Sequence, residues 1–380
     1  MELGPLAIKA LETVRGLSPT ASNLTQASRE YGAEAARWAF EQWDLRKRAQ
    51  SKFARAEQML FDRDGLEMAS HEAMARFHAA QFPPDERVAD LTCGIGADLI
   101  ALARENPAVG FEIDPDRAAM ARHNLEVHQV RSEVVEADCL EANWDFEYAF
   151  ADPARRSGKG RTLDPDDFQP RLDALVERMS TLKLGLIKVS PMLPDEVLRR
   201  YGKRVDFLSY DWECREAILR VGSEPSREDR FWAAKVDSGE WLADLAEGAD
   251  SQEEPESYLL EADPAAIRAH LLPSLAQELG AATLGDSNGY LTAPAFAKES
   301  AAAVWVRAYR VAAFGHADPK RIRSELARFD GRLAAVKTRG VRETPEKWMK
   351  LCRSEGSRKL ILAMYPVEKS VRFVLMEPAT

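Results

Sequence analysis

Apolar residues recur along this chain at two different periods. Between residues 28 and 60 they fall at helical spacing (Ala35, Trp38, Phe40, Trp43, Leu45) among Ala, Glu, Gln and Arg, which predicts a long helical segment. A second helix is expected over 68–80, stopping before Pro83-Pro84. Trp38 and Trp43 read as packing residues rather than as platforms for bases. Residues 1–84 are therefore expected to form a helical N-terminal region.

From Arg87 the period changes. Short apolar strands are predicted at 88–91, 108–113, 133–136, 148–151, 184–189, 205–209 and 217–221, with helices at 97–105, 115–128, 166–179 and 195–201. Repeated βα units of this length imply a parallel sheet covered by helices on both faces. The last two strands are separated by too few residues for a crossover helix, so an antiparallel hairpin at the sheet edge is expected. A domain over 85–224 follows, then a connecting region over 225–300 with a strand at 231–236 and a helix at 264–279. The remainder, 301–380, reads as a compact α+β module: strands at 304–314, 332–338, 360–365 and 371–376, helices at 319–329 and 345–352.

Composition bounds the class. The 380 residues are 45% hydrophobic and 30% charged, ordinary for a globular chain of two or three domains. No apolar run approaches the ~20 residues needed to span a bilayer, and no membrane association is expected. The N-terminus lacks the basic and apolar stretches of a secretion signal, and a cytoplasmic location is expected. The cysteines Cys93, Cys139, Cys214 and Cys352 are scattered without a C-x-x-C pair, so neither structural zinc nor any other metal site is expected.

The net charge of −10 argues against a nucleic-acid partner until its distribution is examined. Residues 239–300 carry 12 Asp/Glu against 2 Lys/Arg, whereas 305–360 carry 15 Lys/Arg against 6 Asp/Glu. Local fields decide what a surface attracts. The basic segment is either a solvated helical face or an anion-binding surface.

The candidate chemistry lies at the strand ends. The segment Val88-Ala-Asp-Leu-Thr-Cys-Gly-Ile-Gly-Ala-Asp98 is a strand running into a glycine turn and a helix start, an arrangement that presents backbone N–H groups to a polar ligand. Asp90 ends the strand, and Gly94 and Gly96 permit close approach. The second strand ends at Glu112 and Asp114, where a carboxylate can accept from both hydroxyls of a ribose. Asp114-Pro115 also reads as a helix N-cap, which leaves Glu112 the better ribose acid. After the third strand, Asp138 can accept from an adenine amine, and the backbone N–H of Cys139 can reach a ring nitrogen. No Lys follows the glycine turn, which disfavours a nucleoside triphosphate. The fourth strand ends in Asp152-Pro153-Ala-Arg155-Arg156.

In this order the motifs resemble a class I S-adenosylmethionine-dependent methyltransferase, specifically a group with Asp-Pro-Ala-Arg-Arg and a C-terminal THUMP-like module. Asp90 to Gly96, continuing to Asp98, matches the family's first motif, with Thr92 where glycine is common. Glu112 matches the ribose acid, Asp138 the adenine acid, and Asp152-Pro153 the start of the amino-methyltransferase motif. Val336-Lys-Thr-Arg-Gly340 carries the THUMP-like resemblance. The resemblance implies an α/β fold: a Rossmann-like, mostly parallel seven-stranded sheet with a terminal hairpin, followed by a small THUMP-like α+β domain. It implies S-adenosylmethionine as cofactor, bound by Asp90, Thr92, Cys93, Gly94, Gly96, Asp98, Glu112, Asp114, Asp138 and Cys139. It also implies an RNA partner, tRNA or rRNA, methylated on a base at an exocyclic amine. Asp152 and Pro153 would accept the amine's hydrogens. Alanine and arginine replace the family's second proline and aromatic, so Arg155 either stacks on the base or, with Arg156, holds phosphate. Pairing of one arginine with Asp164 or Asp167 is the alternative. A small-molecule or protein acceptor, or a binding protein of weak activity, are the competing readings. Cysteine-nucleophile chemistry is not expected, because Cys93 and Cys139 fall in cofactor motifs.

Overall fold

The computed structural model describes residues 5–157, 160–161, 163–224, 230–243, 248–286 and 289–379, with side chains 155–162 outside the description. The chain forms two compact units, 1–205 with 217–229 and 206–216 with 230–380. Among the described residues no helix is long and apolar enough to cross a membrane.

The N-terminal region of the first unit is helical but more broken than its periodicity predicts. It holds α1 (Pro5–Thr13), α2 (Ala21–Tyr31), α3 (Ala33–Ala49), α4 (Arg63–Met68) and α5 (Glu72–Ala79). Gly32, at φ 87°, ends α2 and opens α3 inside the stretch expected to be continuous. Asp62 caps α4, which ends at Met68, and His71 caps α5, so the helix expected over 68–80 starts only at Glu72. Local caps override periodicity here because each satisfies N–H groups that a helix end leaves open.

The alternating region matches its pattern closely. Strands β1 (Val88–Asp90), β2 (Ala108–Glu112), β3 (Glu133–Glu136), β4 (Tyr148–Ala151) and β5 (Leu184–Val189) are joined through α6 (Ala97–Glu105), α7 (Pro115–His128), α8 (Leu172–Met179), and α9 (Asp195–Tyr201) follows β5. Asp114 caps α7 through the N–H groups of Asp116 and Arg117, with Pro115 in the first turn. The helix expected from 166 begins only at Leu172, because Pro170 cannot donate within a helix and excludes Gln169 from helical backbone. Its place is taken by Phe168–Gln169, paired antiparallel with Ala154–Ser157. Strands β6 (Arg204–Tyr210) and β7 (Glu213–Val221) form the hairpin, turned by Asp211 and Trp212, both at positive φ.

The order is β6-β7-β5-β4-β1-β2-β3. Strands β1 to β5 pair in parallel, and β7 runs antiparallel to β5. In the second unit β8 (Arg230–Lys235) lies beside β6 and pairs antiparallel with β9 (Trp241–Ala243), so the hairpin is not the sheet edge that was expected.

The helical region and the βα units share one core. Leu45, Phe53, Met59 and Phe61 pack in the same cluster as Ile95, Leu99, Ala121 and Leu125. Residues 58–62 form a strap over the glycine turn. Asn124, fully buried, donates to the carbonyls of Leu60 (3.0 Å) and Ile95 (2.9 Å) and accepts from Leu60 N–H (2.8 Å). Gln42 exchanges two hydrogen bonds with the Phe61 backbone, Arg46 donates to Met59 O, and Arg117 binds Asp62 at 2.8 Å. A Cβ on Gly65 would lie 2.7 Å from Ile95, so only glycine lets α4 approach the turn this closely.

The second unit takes in most of the acidic region. Strands β10 (Tyr258–Ala262), β11 (Ala282–Leu284), β12 (Tyr290–Ala293), β13 (Val306–His316), β14 (Gly331–Thr338), β15 (Arg358–Val367) and β16 (Ser370–Pro378) form one sheet in the order β11-β12-β10-β13-β16-β15-β14. Residues 225–300 thus supply strands to the same sheet as 301–380, since β10 pairs with β13. The helix expected over 264–279 is two helices, α10 (Pro264–Arg268) and α11 (Leu272–Leu279), split where His270 adopts positive φ. Helices α12 (Pro319–Arg328) and α13 (Pro345–Leu351) pack on one face through Ile322, Leu326, Trp348 and Cys352. Asp263, fully buried, caps α10, pairs with the Lys235 ammonium at 3.0 Å and accepts a hydrogen bond from the Ser209 hydroxyl at 2.8 Å.

Replacing Asn124 by Ala leaves the carbonyl and N–H of Leu60 in the strap and the carbonyl of Ile95 in the glycine turn without this buried partner. The expected cost is about 2–4 kcal/mol, read as a lowered urea midpoint, and a change within about 0.5 kcal/mol would show that the strap does not depend on this clamp.

Candidate active site

Parallel strands that start on one side of a sheet also end on one side, so their terminal residues collect along a single rim. Here the chain turns opposite ways after β1 and β4, which are neighbours. This is the switch point at which open α/β sheets bind ligands. Asp90, Glu112, Asp138, Asp152 and Lys188 all stand at or just beyond the carboxyl ends of β1 to β5.

The glycine turn is held from both sides. Gly94 (φ 54°) donates its N–H to Glu112 Oε2 at 2.9 Å, and a Cβ there would meet nothing within 4 Å. Gly96 (φ 90°) donates to Cys93 O and opens α6, and a Cβ there would press on the Ala121 backbone at 3.3 Å. Gly94 therefore lines open space, while Gly96 permits helix packing. The second oxygen of Glu112 accepts from Asp114 N–H at 2.9 Å. Asp114 spends its own carboxylate on capping α7.

Asp90 is nearly fully buried. Its Oδ1 accepts from Thr92 N–H at 3.2 Å, while Oδ2 is buried without a partner among the described residues. Burial first, and the charges of Asp98, Asp152 and Glu112 after it, push its carboxyl well above the usual range, against the Thr92 hydrogen bond. An orphaned buried acceptor of this kind calls for a donor or cation from a ligand.

Asp98, named from sequence as a cofactor residue, is bonded at 2.7 Å to Nδ1 of His78, whose ring stacks on Phe150 at 4.9 Å. Burial raises the Asp98 carboxyl, but the His78 bond and charge, helped by Lys188 and Ser70, outweigh it and hold the group below its ordinary value. Cys93 donates its N–H to Phe111 O. Its thiol faces the core, since a Cβ on Gly110 would lie 3.0 Å from the sulfur. Burial raises the Cys93 thiol strongly and the Cys139 thiol to about 12, so neither ionises near neutrality.

Beyond β3, Asp138 accepts from Leu140 N–H at 2.8 Å. The carbonyl of Cys139 accepts from Trp144 Nε1 at 2.9 Å and from Arg178 at 3.1 Å. Arg178 also donates to the carbonyls of Leu140 and Ala142 and lies over the Trp144 ring, bracing this turn.

Thr92 stands where the resemblance expects glycine, and its hydroxyl is engaged. Oγ1 accepts from Asp152 N–H at 2.7 Å and ties the glycine turn to the Asp-Pro segment across the switch point. Pro153 is buried, and the backbone of Arg155 and Arg156 joins the small ladder against residues 161 and 168. The side chains of Arg155 and Arg156 lie outside the described residues. Asp152 Oδ2 accepts from Lys188 Nζ at 2.5 Å, and the same ammonium donates to Ser70 Oγ at 3.2 Å.

Sequence reasoning assigned no role to Ser70, His78 or Asn124; of Lys188 it gave only that Lys188-Val-Ser-Pro191 ends the fifth strand facing the crevice. For His78 and Asn124 the available signal was a polar residue on an apolar helical stripe: Met74, Ala75, His78 and Ala79 in α5, and Ala118, Ala121, Asn124 and Leu125 in α7.

Comparison with known proteins agrees with this geometry. No family model matches the chain. A protein of Mycobacterium tuberculosis described as an uncharacterized S-adenosylmethionine-dependent methyltransferase is 31% identical over 341 residues, covering 87% of this chain and 93% of the relative. It matches equally in the strains CDC 1551 and H37Rv. A shorter stretch of 71 residues is 32% identical to trimethylguanosine synthase of Schizosaccharomyces pombe, covering 18% of this chain and 30% of that one. A crystal structure from Porphyromonas gingivalis W83, described as that of a candidate methyltransferase, shares the fold with a TM-score of 0.80 over 98% of both chains at 16% identity.

The rim suits the cofactor of these relatives. S-adenosylmethionine carries an ammonium, a sulfonium, a ribose diol and an adenine amine. The chain offers the orphaned Oδ2 of Asp90, the Glu112 carboxylate with one backbone N–H on each oxygen, the half-buried Asp138 and open space at Gly94. The chain belongs to the class I S-adenosylmethionine-dependent methyltransferases, and S-adenosylmethionine is its cofactor.

Proposed function

We propose that this methyltransferase methylates a base of RNA, tRNA or rRNA, at an exocyclic amine. The observation that carries the reading is Asp152-Pro153 at the end of β4, tied to the cofactor turn by the Thr92 hydroxyl. When bound, S-adenosylmethionine supplies a methyl group on a sulfonium; transfer to an amine forms an N–C bond and releases S-adenosylhomocysteine and a proton. The chain's task is to position the acceptor and exclude water. Asp152 and the carbonyl of Pro153 accept the amine's hydrogens and align its lone pair, and Arg155 and Arg156 engage the base or its phosphate. Asp90 takes the cofactor's cationic end, Glu112 the ribose, and Asp138 with the Cys139 N–H the adenine. Thr92, Gly94 and Gly96 shape the turn, while Cys93, Asp98 and Asp114 act through the backbone and the helix starts.

Support for an RNA acceptor comes from the second unit. Its segment 305–360 is strongly basic, and Lys320, Arg332, Arg353 and Lys359 are exposed. The strand and helix alternation around Val336–Gly340 resembles the THUMP-like module of RNA-modifying enzymes. The local match to trimethylguanosine synthase, named for a methylated guanosine, supports an amine on a nucleobase. The overall charge of −10 favours the competing acceptor, a small molecule or a protein.

Tritium transfer from labelled S-adenosylmethionine to RNA from cells lacking the gene is expected to exceed transfer to RNA from cells that carry it. Equal labelling of both pools points to the competing acceptor. Asp152→Ala is expected to lower that transfer by about 100-fold or more while cofactor binding stays measurable. Glu112→Ala is expected to weaken S-adenosylmethionine binding by about 10- to 100-fold in calorimetry, and an unchanged Kd would remove Glu112 from the ribose role. RNA binding is expected to fall steeply with salt, and Lys320→Glu combined with Arg353→Glu to weaken it by roughly tenfold at low salt.

A further inference from the structure

Asp152 does not stand alone at the rim. Strands β4 and β5 pair in parallel with Ala151 opposite Ile187, so the next residues, Asp152 and Lys188, sit side by side at the two carboxyl ends. Neighbours across parallel strands point to the same face. The Lys188 ammonium reaches Asp152 Oδ2 at 2.5 Å and Ser70 Oγ at 3.2 Å. Their side chains are only 12% and 22% exposed, so water screens the pair weakly. Ser70, itself buried, belongs to the segment between α4 and α5, and its hydroxyl also acts on Asp98, the partner of His78. A continuous polar chain therefore runs from His78 through Asp98, Ser70 and Lys188 to Asp152.

We infer that Lys188 is a positioning residue of the methyl-transfer site, clamping the Asp152 carboxylate and cancelling its charge beside the cofactor's reacting end. The inference rests on the reading of Asp152 as the residue that faces the acceptor. It goes beyond that reading by giving the N-terminal helical region a part in the site, through Ser70. The rim is otherwise rich in carboxylates: Asp90, Asp98, Glu112 and Asp152 are close enough for each of the other three to disturb the titration of Asp90. Asp98 is paired with His78, whereas Asp152 has Lys188 as its cation, and without that ammonium its charge would hold a cationic ligand too well. S-adenosylmethionine is cationic at sulfur and S-adenosylhomocysteine is neutral there, so a lysine at this point levels the affinities of substrate and product. A lysine that served merely as a strut between Ser70 and the sheet would affect both ligands alike.

The test needs no methyl acceptor. The dissociation constants of S-adenosylmethionine and S-adenosylhomocysteine are measured by calorimetry on the full chain and compared as a ratio. Lys188→Met removes the cation and is expected to favour S-adenosylmethionine over S-adenosylhomocysteine by about fivefold relative to the unaltered protein, for one uncompensated charge at an effective dielectric near the surface value. Lys188→Arg, which keeps the charge, is expected to restore the ratio. Asp152→Asn leaves the cation unbalanced and is expected to move the ratio the other way. Equal weakening of both ligands by Lys188→Met is the result of a mere strut and overturns the inference; if that variant does not fold, the Asp152→Asn arm decides, and a ratio that stays at the unaltered value overturns it. Because binding is read without RNA, failure of methyl transfer to any RNA pool would remove the proposed acceptor and leave this result standing.

Discussion

The first unit is organised around one electrostatic constraint: a parallel sheet gathers the ends of its strands on one rim, and this rim is acidic. Burying carboxylates next to one another raises their energy unless donors or cations offset them. Each acid here is treated differently. Glu112 is held by two backbone N–H groups, Asp98 by His78, Asp152 by Lys188 and the Thr92-anchored backbone, and Asp114 by the start of α7. Asp90 alone among these keeps a buried oxygen without a partner. The paired carboxylates are held by the protein's own groups, and the unpaired oxygen is where that internal pairing stops.

That frame extends outside the βα units. The strap at residues 58–62 is pinned by Gln42, Arg46, Asn124 and Arg117, and α4 presses on Ile95 through Gly65. Most of these bonds go from side chains to backbone groups, which would otherwise be orphaned in a dry interior. The glycine turn is consequently gripped from outside as well as from β2. A turn built of small residues has little side-chain packing of its own, so its shape has to be imposed by neighbours.

The second unit solves its own buried-charge problem in a similar way. Asp263 and Lys235 are both almost wholly buried, and the acid also caps α10. Glu261 on β10 gathers Lys337 at 2.8 Å, the Tyr309 hydroxyl at 3.2 Å and Arg339 at 3.5 Å. Lys337 and Arg339 are the basic residues of the Val336–Gly340 motif. Part of that motif's charge is thus used inside the sheet, while the exposed cations of the basic segment lie on α12 and around α13.

Much of the site was legible from the chain alone. Strand, glycine turn, helix and Asp-Pro each rest on local rules: alternation, positive φ at glycine, and caps such as Asp114-Pro115. Local rules also located β2 to β5, α6, α7 and α9 within a residue. Where they failed, a second local rule competed, as Gly32, Pro170 and His270 each broke a helix that periodicity alone extended. What no local rule holds is which distant residues meet. Thr92 looked like a departure from a motif until the fold placed Asp152 N–H beside its hydroxyl, 60 positions away in sequence. Lys188 and Ser70 are 118 positions apart. The sequence by itself determined the elements and the cofactor turn, because those depend on neighbours in the chain. Only the tertiary structure decided which carboxylates are paired and which one keeps a buried oxygen unpaired, because burial and pairing depend on neighbours in space.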